Sequence, residues 1–301
     1  MRVLLAGATG VVGRELVAQL RAAGHEVLAL TRSPGRLTGV TPVVADLTDR
    51  DAVLAAVEGH EADAVVHQAT AISGVPLFHR DLHATDALRE HGTATLVEAT
   101  RRMGARRFVT QSFFLGYGYH DHGPDPVTED RPFAPPGRGP FEVHMRAMRH
   151  NERLALETPG IEGVALRYGM FYGPEPATRR LVELARRRLL PVFRPSGVIA
   201  PVHVHDAASA AVAALERGRG AYNIAGDEAV SFGAYVRALA AAVGAPEPYT
   251  VPSWPLRAAP YAYAMLVRTR IRLSTEKARR ELGWSPAYPT LRDGIRRSCP
   301  G

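Results

Sequence analysis

The stretch VLLAGATGVVGRELVAQLRAAG, residues 3–24, constrains the fold more than any other. VLLAGA (3–8) is a short, continuous apolar run of the kind a strand shows when both its faces are covered. VVGRELVAQLRAAG (11–24) carries apolar residues at helical spacing and stops at Gly24. Between them stand Gly7, Gly10 and Gly13, in the spacing G-x-x-G-x-x-G. Glycine permits the tight turn from strand into helix and lets the backbone come close to a phosphate. The helix that follows offers free N–H groups and a partial positive charge at its start. Three glycines alone are a weak motif. On a strand–turn–helix they predict a dinucleotide cradle, and a plain packed turn is the competing reading.

The first half repeats this rhythm. EVLALTR (26–32) and TPVVADL (41–47) read as strands, with a helix near 49–58. ADAVVHQA (62–69) is a fourth strand, a long helix covers about 80–103, and RRFVTQSF (106–113) is a fifth strand. Alternation of this kind predicts an α/β chain: a Rossmann-like, doubly wound parallel sheet with helices on both faces. Residues 114–140 crowd proline and glycine and read as a loop over the sheet edge, where a ligand would lie. A helix over 141–157 and the strand EGVALRYGMFYG (162–173) follow. Later elements are shorter: a helix near 177–189, the strand VIAPVHV (198–204), a helix from Asp206, the strand AYNIAG (221–226), and helices near 231–243 and 274–282. We expect a dinucleotide-binding domain over 1–173, to which 221–226 returns, and a smaller, mainly substrate-binding part over 174–301.

The net charge of +7 does not read as a nucleic-acid footprint. Lysine occurs once, at Lys277, so 36 of the 37 basic residues are arginine, and they are scattered without interleaved aromatics. The apolar stretches are too short and too broken by charge for a membrane span. The N-terminus reads as a first strand and not a secretory signal. The single cysteine, Cys299, excludes an internal disulfide and fits a reducing cytoplasm.

Several segments together resemble the extended short-chain dehydrogenase/reductase superfamily, in its NAD-dependent epimerase/dehydratase type. GATGVVG is similar to its cofactor loop, which implies that Gly7, Thr9, Gly10, Val11, Val12 and Gly13 meet the pyrophosphate. ADL (45–47) resembles the adenine-contacting strand end, placing Asp46 and Leu47 there. VVHQAT (65–70) resembles the strand behind the cofactor ribose and brings in Ala69 and Thr70. RFVTQSFFLGYG (107–118), with Gln111, resembles the strand that carries the family's serine or threonine. LRYGMFYGP (166–174), with Tyr168 and Phe171, resembles the loop beside the nicotinamide. HGTATLVEAT (91–100), VHVHDAASA (202–210) and EKARRELGWSP (276–286) extend the likeness over nearly the whole chain.

The second strand ends in Thr31 and Arg32, where an acidic residue would bind the adenine ribose. A guanidinium there favours a 2′-phosphate, so NADP(H) is expected over NAD(H). The family's proton machinery is a tyrosine, a lysine four residues later, and a serine or threonine. Counting back from Tyr117-Gly118 puts the serine place on Phe113. Counting back from Glu152 puts the lysine place on Met148 and the tyrosine place on His144. All three depart from the pattern. Imidazole exchanges protons near neutral pH without a lysine, which makes His144 a candidate acid/base; a structurally satisfied helix histidine is the other reading. Tyr117, Tyr119 and His120 on the loop are further proton carriers to consider. Phe113, Tyr119, Met148 and Phe171 are the expected substrate-pocket residues.

His203 and His205 alternate on a strand, yet nothing else clusters at ligand spacing, so no metal is expected. Two readings stay open. One is an oxidoreductase, epimerase or dehydratase acting on a small organic molecule. The other is a dinucleotide-binding sensor or scaffold without turnover, and between them lies a non-redox enzyme that reuses the fold. The helices at 80–103 and 141–157 resemble those that pair subunits in the superfamily, so a homodimer is considered.

Overall fold

A computed structural model describes residues 1–33, 35, 37–72 and 74–298; Cys299 lies outside them. Its centre is a seven-stranded, wholly parallel sheet. The strands are β1 (Arg2–Ala6), β2 (Glu26–Thr31), β3 (Thr41–Val44), β4 (Ala64–His67), β5 (Arg107–Phe113), β6 (Glu162–Tyr168) and, after four short strands, β11 (Gly220–Ile224). Their spatial order is β11-β6-β5-β4-β1-β2-β3. The order reverses between β1 and β4, and the crevice beyond their C-terminal ends is where such sheets bind ligands.

Successive residues of a strand face opposite sides, and the central strand shows this directly. Val3 and Leu5 of β1 pack under α1 (Val11–Ala22) and α7 (Val204–Ala213), against Leu16, Leu20, Ala207 and Ala211. Leu4 and Ala6 pack under α2 (Arg50–Ala56) and α4 (Thr93–Arg102), against Val53, Leu54 and Leu96. Both faces are covered, which is why the strands read as unbroken apolar runs. α5 (Pro140–Glu157) crosses from β5 to β6 and packs on both.

The C-terminal third builds a second core from α6 (Pro176–Arg186), α8 (Phe232–Ala242), α9 (Pro260–Tyr263) and α10 (Leu291–Ser298). Short strand pairs lace it together: β7 (Met170–Tyr172) with β10 (Pro201–His203), β8 (Val192–Arg194) with β13 (Thr250–Pro252), and β9 (Val198–Ile199) with β12 (Val230–Ser231). Met145 and Met148 of α5 belong to this second core, so α5 joins the two halves.

Four expectations need correction. The helix over 80–103 is segmented: a 3-10 turn (His79–Leu82), α3 (His83–Ala87), a π-helical turn (Leu88–Gly92) and then α4. The strand over 198–204 is broken at Ala200, where the chain changes partner from β12 to β7 and the Ala200 carbonyl accepts Met170 N–H. The next helix begins at Val204 and not at Asp206, because His203 is its N-cap and its Nδ1 accepts His205 N–H at 3.1 Å. The helix over 274–282 closes in a π-turn (Ala278–Leu282) that Gly283 ends in the left-handed region. Among the described residues no helix is long and apolar enough to cross a membrane.

Candidate active site

The glycine turn is built as a cradle. Gly7 has φ +91°, and a Cβ there would stand 2.5 Å from Ala69 N, against the end of β4. A Cβ on Gly13 would come within 2.0 Å of the Gly7 carbonyl, so no side chain fits where the helix crosses the turn. At Gly10 a Cβ would meet only Gly7 O, at 3.1 Å, leaving the outer mouth of the turn open. Gly10 N–H closes on Gly7 O at 2.9 Å. Gly10 caps α1 without a side chain, so the first-turn N–H groups of Val11 and Val12 are left for an anion. Thr9 is held by Arg14, whose Nε donates to its carbonyl at 3.0 Å. These residues fit a dinucleotide pyrophosphate.

The adenine end is open. Arg32 is 78% exposed and stands 3.7 Å from Asp46. The backbone N–H and the hydroxyl of Thr48 hold the Asp46 carboxyl below its usual range, with Arg32 adding to the effect. Leu47 is buried against the second face of the sheet. Ala69 and Thr70 are half-buried at the end of β4. There Ala69 N–H donates to His67 Nδ1 at 3.3 Å. Gln111 is half-buried, and its carbonyl accepts Asn151 Nδ2 at 2.9 Å. Tyr168 is fully buried; its hydroxyl donates to Ala207 O at 3.1 Å and its ring lies 5.2 Å from Phe171.

At the end of β5, Ser112 and Phe113 part company. Ser112 is buried and donates to Glu152 Oε1 at 2.6 Å. Phe113 is half-buried beside Phe114 and Phe171. Glu152 also takes a two-pronged contact from Arg167, which in turn donates to the Tyr117 hydroxyl at 2.8 Å. Tyr117 donates to Asn223 Oδ1 at 2.9 Å. Burial pushes its phenol up to about 12, against the pull of Arg167. The Tyr117 hydroxyl is thus one link in a buried lattice that ties the 114–140 loop to the sheet. His120 stacks on His122 at 4.0 Å, on the exposed side of the same loop.

His144 and Met148 sit one turn apart on α5, both buried to within 1%. Both ring nitrogens of His144 are engaged. Its Nδ1 lies 2.5 Å from Asp86 Oδ2, and its Nε2 lies 2.9 Å from His79 Nδ1. Asp86 is buried on α3, and Arg89 stands 3.7 Å from its other oxygen. His79 is half-buried, stacked on His144 with ring centroids 5.2 Å apart and edge-on to Phe141 at 4.4 Å. Burial, then the neighbouring His144 and His83, lower its proton affinity. Tyr119 and Tyr261 complete the wall, their rings 5.8 Å apart. Burial holds the Tyr119 phenol well above its usual range.

His79, Asp86, Phe141 and Tyr261 were not legible as site residues from their surroundings in the chain. A signal did exist: His79, His83 and Asp86 recur at four and three residues, the spacing of one helix face. His203 and His205 are used otherwise. His203 caps α7 and contacts Ser298 Oγ at 2.8 Å, while His205 Nδ1 lies 2.8 Å from Glu15. Among the described residues no group of three acidic, histidine or cysteine side chains is placed to hold a metal.

Solved structures share this architecture. UDP-glucose 4-epimerase of Thermus thermophilus, solved with NAD, is 27% identical with a TM-score of 0.78, and the match covers 99% of this chain and 98% of that one. The corresponding enzyme of Thermotoga maritima matches with a TM-score of 0.80 at 21% identity, a likeness of fold, over 99% and 97% of the two chains. In sequence, a 3-diazoavenalumate denitrifying reductase of a Streptomyces species is 39% identical across 99% of this chain and 100% of its own length. A 2-alkyl-3-oxoalkanoate reductase of Stenotrophomonas maltophilia is 30% identical, over 99% and 98% of the two chains. The model of the NAD-dependent epimerase/dehydratase family matches residues 3–225. With the parallel sheet, the glycine cradle and these relatives in agreement, the chain belongs to the NAD-dependent epimerase/dehydratase family.

Proposed function

We propose that this protein is an NADP(H)-dependent reductase of a small electrophilic molecule, and that its acceptors are aryl diazo acids; the name of its Streptomyces relative carries a diazo acid, 3-diazoavenalumate. One feature of the chain supports the reading: counted on the family's pattern, the serine, tyrosine and lysine places fall on Phe113, His144 and Met148, and the single lysine is Lys277. Reducing a carbonyl builds negative charge on oxygen, and a tyrosine–lysine pair serves to neutralise it. An arenediazonium is already cationic. Taking up a hydride makes it neutral, so that step needs no phenol and no lysine. Overall the arene accepts one hydride and releases N2, and a C–H bond replaces the C–N bond.

The cradle from Gly7 to Gly13 holds the pyrophosphate, and Arg32 holds the adenosine 2′-phosphate. When bound, the reduced dinucleotide supplies the hydride. Phe113 and Phe171, both half-buried, give the acceptor a flat, apolar wall. Tyr119, Phe141 and Tyr261 extend that wall towards His79. Keeping water out matters, because water would otherwise replace departing N2 and leave a phenol. His144 acts through the hydrogen bonds on its two nitrogens. Residues 174–301 close the substrate side.

The test is direct. Purified protein mixed with NADPH and 3-diazoavenalumate is expected to lose nicotinamide absorbance in step with N2 release and formation of the denitrified acid. If calorimetry shows NADPH binding but neither this probe nor a carbonyl panel is consumed, the reductase reading is wrong and the protein binds the dinucleotide without turnover.

A further inference from the structure

His79, Asp86 and Arg89 lie outside every family motif quoted above, yet they converge on the residue that replaces the tyrosine. The order of contacts is Asp86 Oδ2 to His144 Nδ1 at 2.5 Å, then His144 Nε2 to His79 Nδ1 at 2.9 Å. With His144 neutral, these contacts set the tautomers. A carboxylate accepts, so His144 carries its proton on Nδ1 and offers Nε2 as an acceptor. His79 must then donate from Nδ1, which leaves its Nε2 lone pair free. Nε2 of His79 has no partner among the described residues, and His79 is the only one of the three that is not buried.

We propose that Asp86, His144 and His79 form a proton relay, and that His79 Nε2 is the atom that exchanges protons with the bound substrate.

One proton arrives at His79 Nε2 from the bound acid. The proton on His79 Nδ1 passes to His144 Nε2, and the positive charge comes to rest on His144 beside the Asp86 carboxylate. Charge is moved and none is created, and the reverse shift returns the proton. His79 alone is a poor place for that charge, because burial opposes it and the neighbouring His144 and His83 add to the effect. Other charged and phenolic groups surround the relay. Arg89 on the π-turn stands 3.7 Å from Asp86 Oδ1 and offsets part of its charge. Tyr119 of the loop and Tyr261 of α9 are neutral phenols held so by burial. Arg80 and Asp81, next to His79 in the chain, pair with each other at 3.9 Å.

This deepens the reductase reading and rests on it for one step. After hydride uptake the substrate is a neutral aryl diazene. The relay takes its N–H proton, the C–N electron pair stays on the ring as N2 leaves, and the same proton returns to the ring carbon. Atoms and electrons balance without an added acid.

The first measurement needs no substrate. Histidine-15N-labelled full-length protein, without cofactor, is examined by long-range 15N–1H correlation spectra across pH. His79 and His144, identified by their absence in H79Q and H144N, should both be Nδ1–H tautomers. In D86N the His79 titration should move down by one pH unit or more. An Nε2–H tautomer at His79, or a His79 titration unmoved by D86N, overturns the relay. The second measurement is turnover of 3-diazoavenalumate with NADPH. H79Q, at a half-buried position, should lose about 100-fold or more in kcat with NADPH affinity unchanged. A wild-type rate in H79Q overturns the relay and leaves the reductase reading intact. If the wild type itself consumes no NADPH with the probe, the reductase reading falls, and the relay stands or falls on the spectra alone.

Discussion

Gly7 shows what one residue decides here. Its backbone is in the left-handed region, and the atom it lacks would collide with Ala69 N of the neighbouring strand end. Gly7→Ala therefore carries both a backbone strain and a clash that backbone cannot relieve. We expect a loss of about 2–4 kcal/mol in urea unfolding, and a loss of NADPH affinity of at least about tenfold by calorimetry. An unchanged affinity would mean that the turn does not hold the phosphates. His144 gives the opposite lesson at the same scale. Counting along the chain places it in the tyrosine position, but counting does not say what its nitrogens touch. Both are occupied, and the partner that matters lies 65 residues away at His79.

At the scale of elements, α7 depends on a neutral imidazole. His203 Nδ1 accepts the N–H of His205 at the helix start, a role open only to the unprotonated nitrogen. Burial lowers the proton affinity of His203 to about 4, below the unfolded value near 6.5. The unfolded chain binds this proton more readily, so the cap's contribution is whole above pH 6.5 and is lost as pH falls towards 4. Urea unfolding should show roughly 2 kcal/mol less stability from this group at pH 5 than at pH 7. His67, also lowered to about 4 by burial, adds in the same direction. His203→Asn keeps a capping oxygen and cannot titrate, so its stability should fall less over that interval; an identical slope would remove His203 from the account. The segmented helix over His79–Arg102 belongs to this scale as well. Its π-turn exposes the Leu88 carbonyl to His67 Nε2 at 3.3 Å and sets Asp86 and Arg89 against α5. Periodicity reported a helix there correctly. It does not resolve the π-turn, because that turn is defined by i→i+5 backbone hydrogen bonds of the folded helix.

In the whole molecule, α5 couples the two cores. A ligand that binds only the folded state stabilises it by an amount set by its affinity. At a hundredfold excess over Kd, NADPH should add roughly 2.7 kcal/mol, a rise of about 4 °C or more in the thermal midpoint. If Arg32 meets a 2′-phosphate, NADPH should raise the midpoint more than NADH at equal concentration, and Arg32→Glu should reverse that order. Equal shifts in the wild type would assign the cofactor choice elsewhere, with Asp46, 3.7 Å from Arg32, the first place to look.

The order of strands and helices, the glycine cradle and the absence of the tyrosine–lysine pair follow from the chain alone, because local periodicity and turn chemistry act over a few residues and need no partner. The burial of Tyr117 and Tyr168, the pairing of Arg167 with Glu152, and the line from Asp86 through His144 to His79 do not. Those are set when the 114–140 loop, α3 and α5 are brought together, and no local rule constrains which polar groups then find one another. Burial supplies the physical reason: once a group is removed from water it must take whatever donor or acceptor the fold provides, and only the packed molecule determines which one that is.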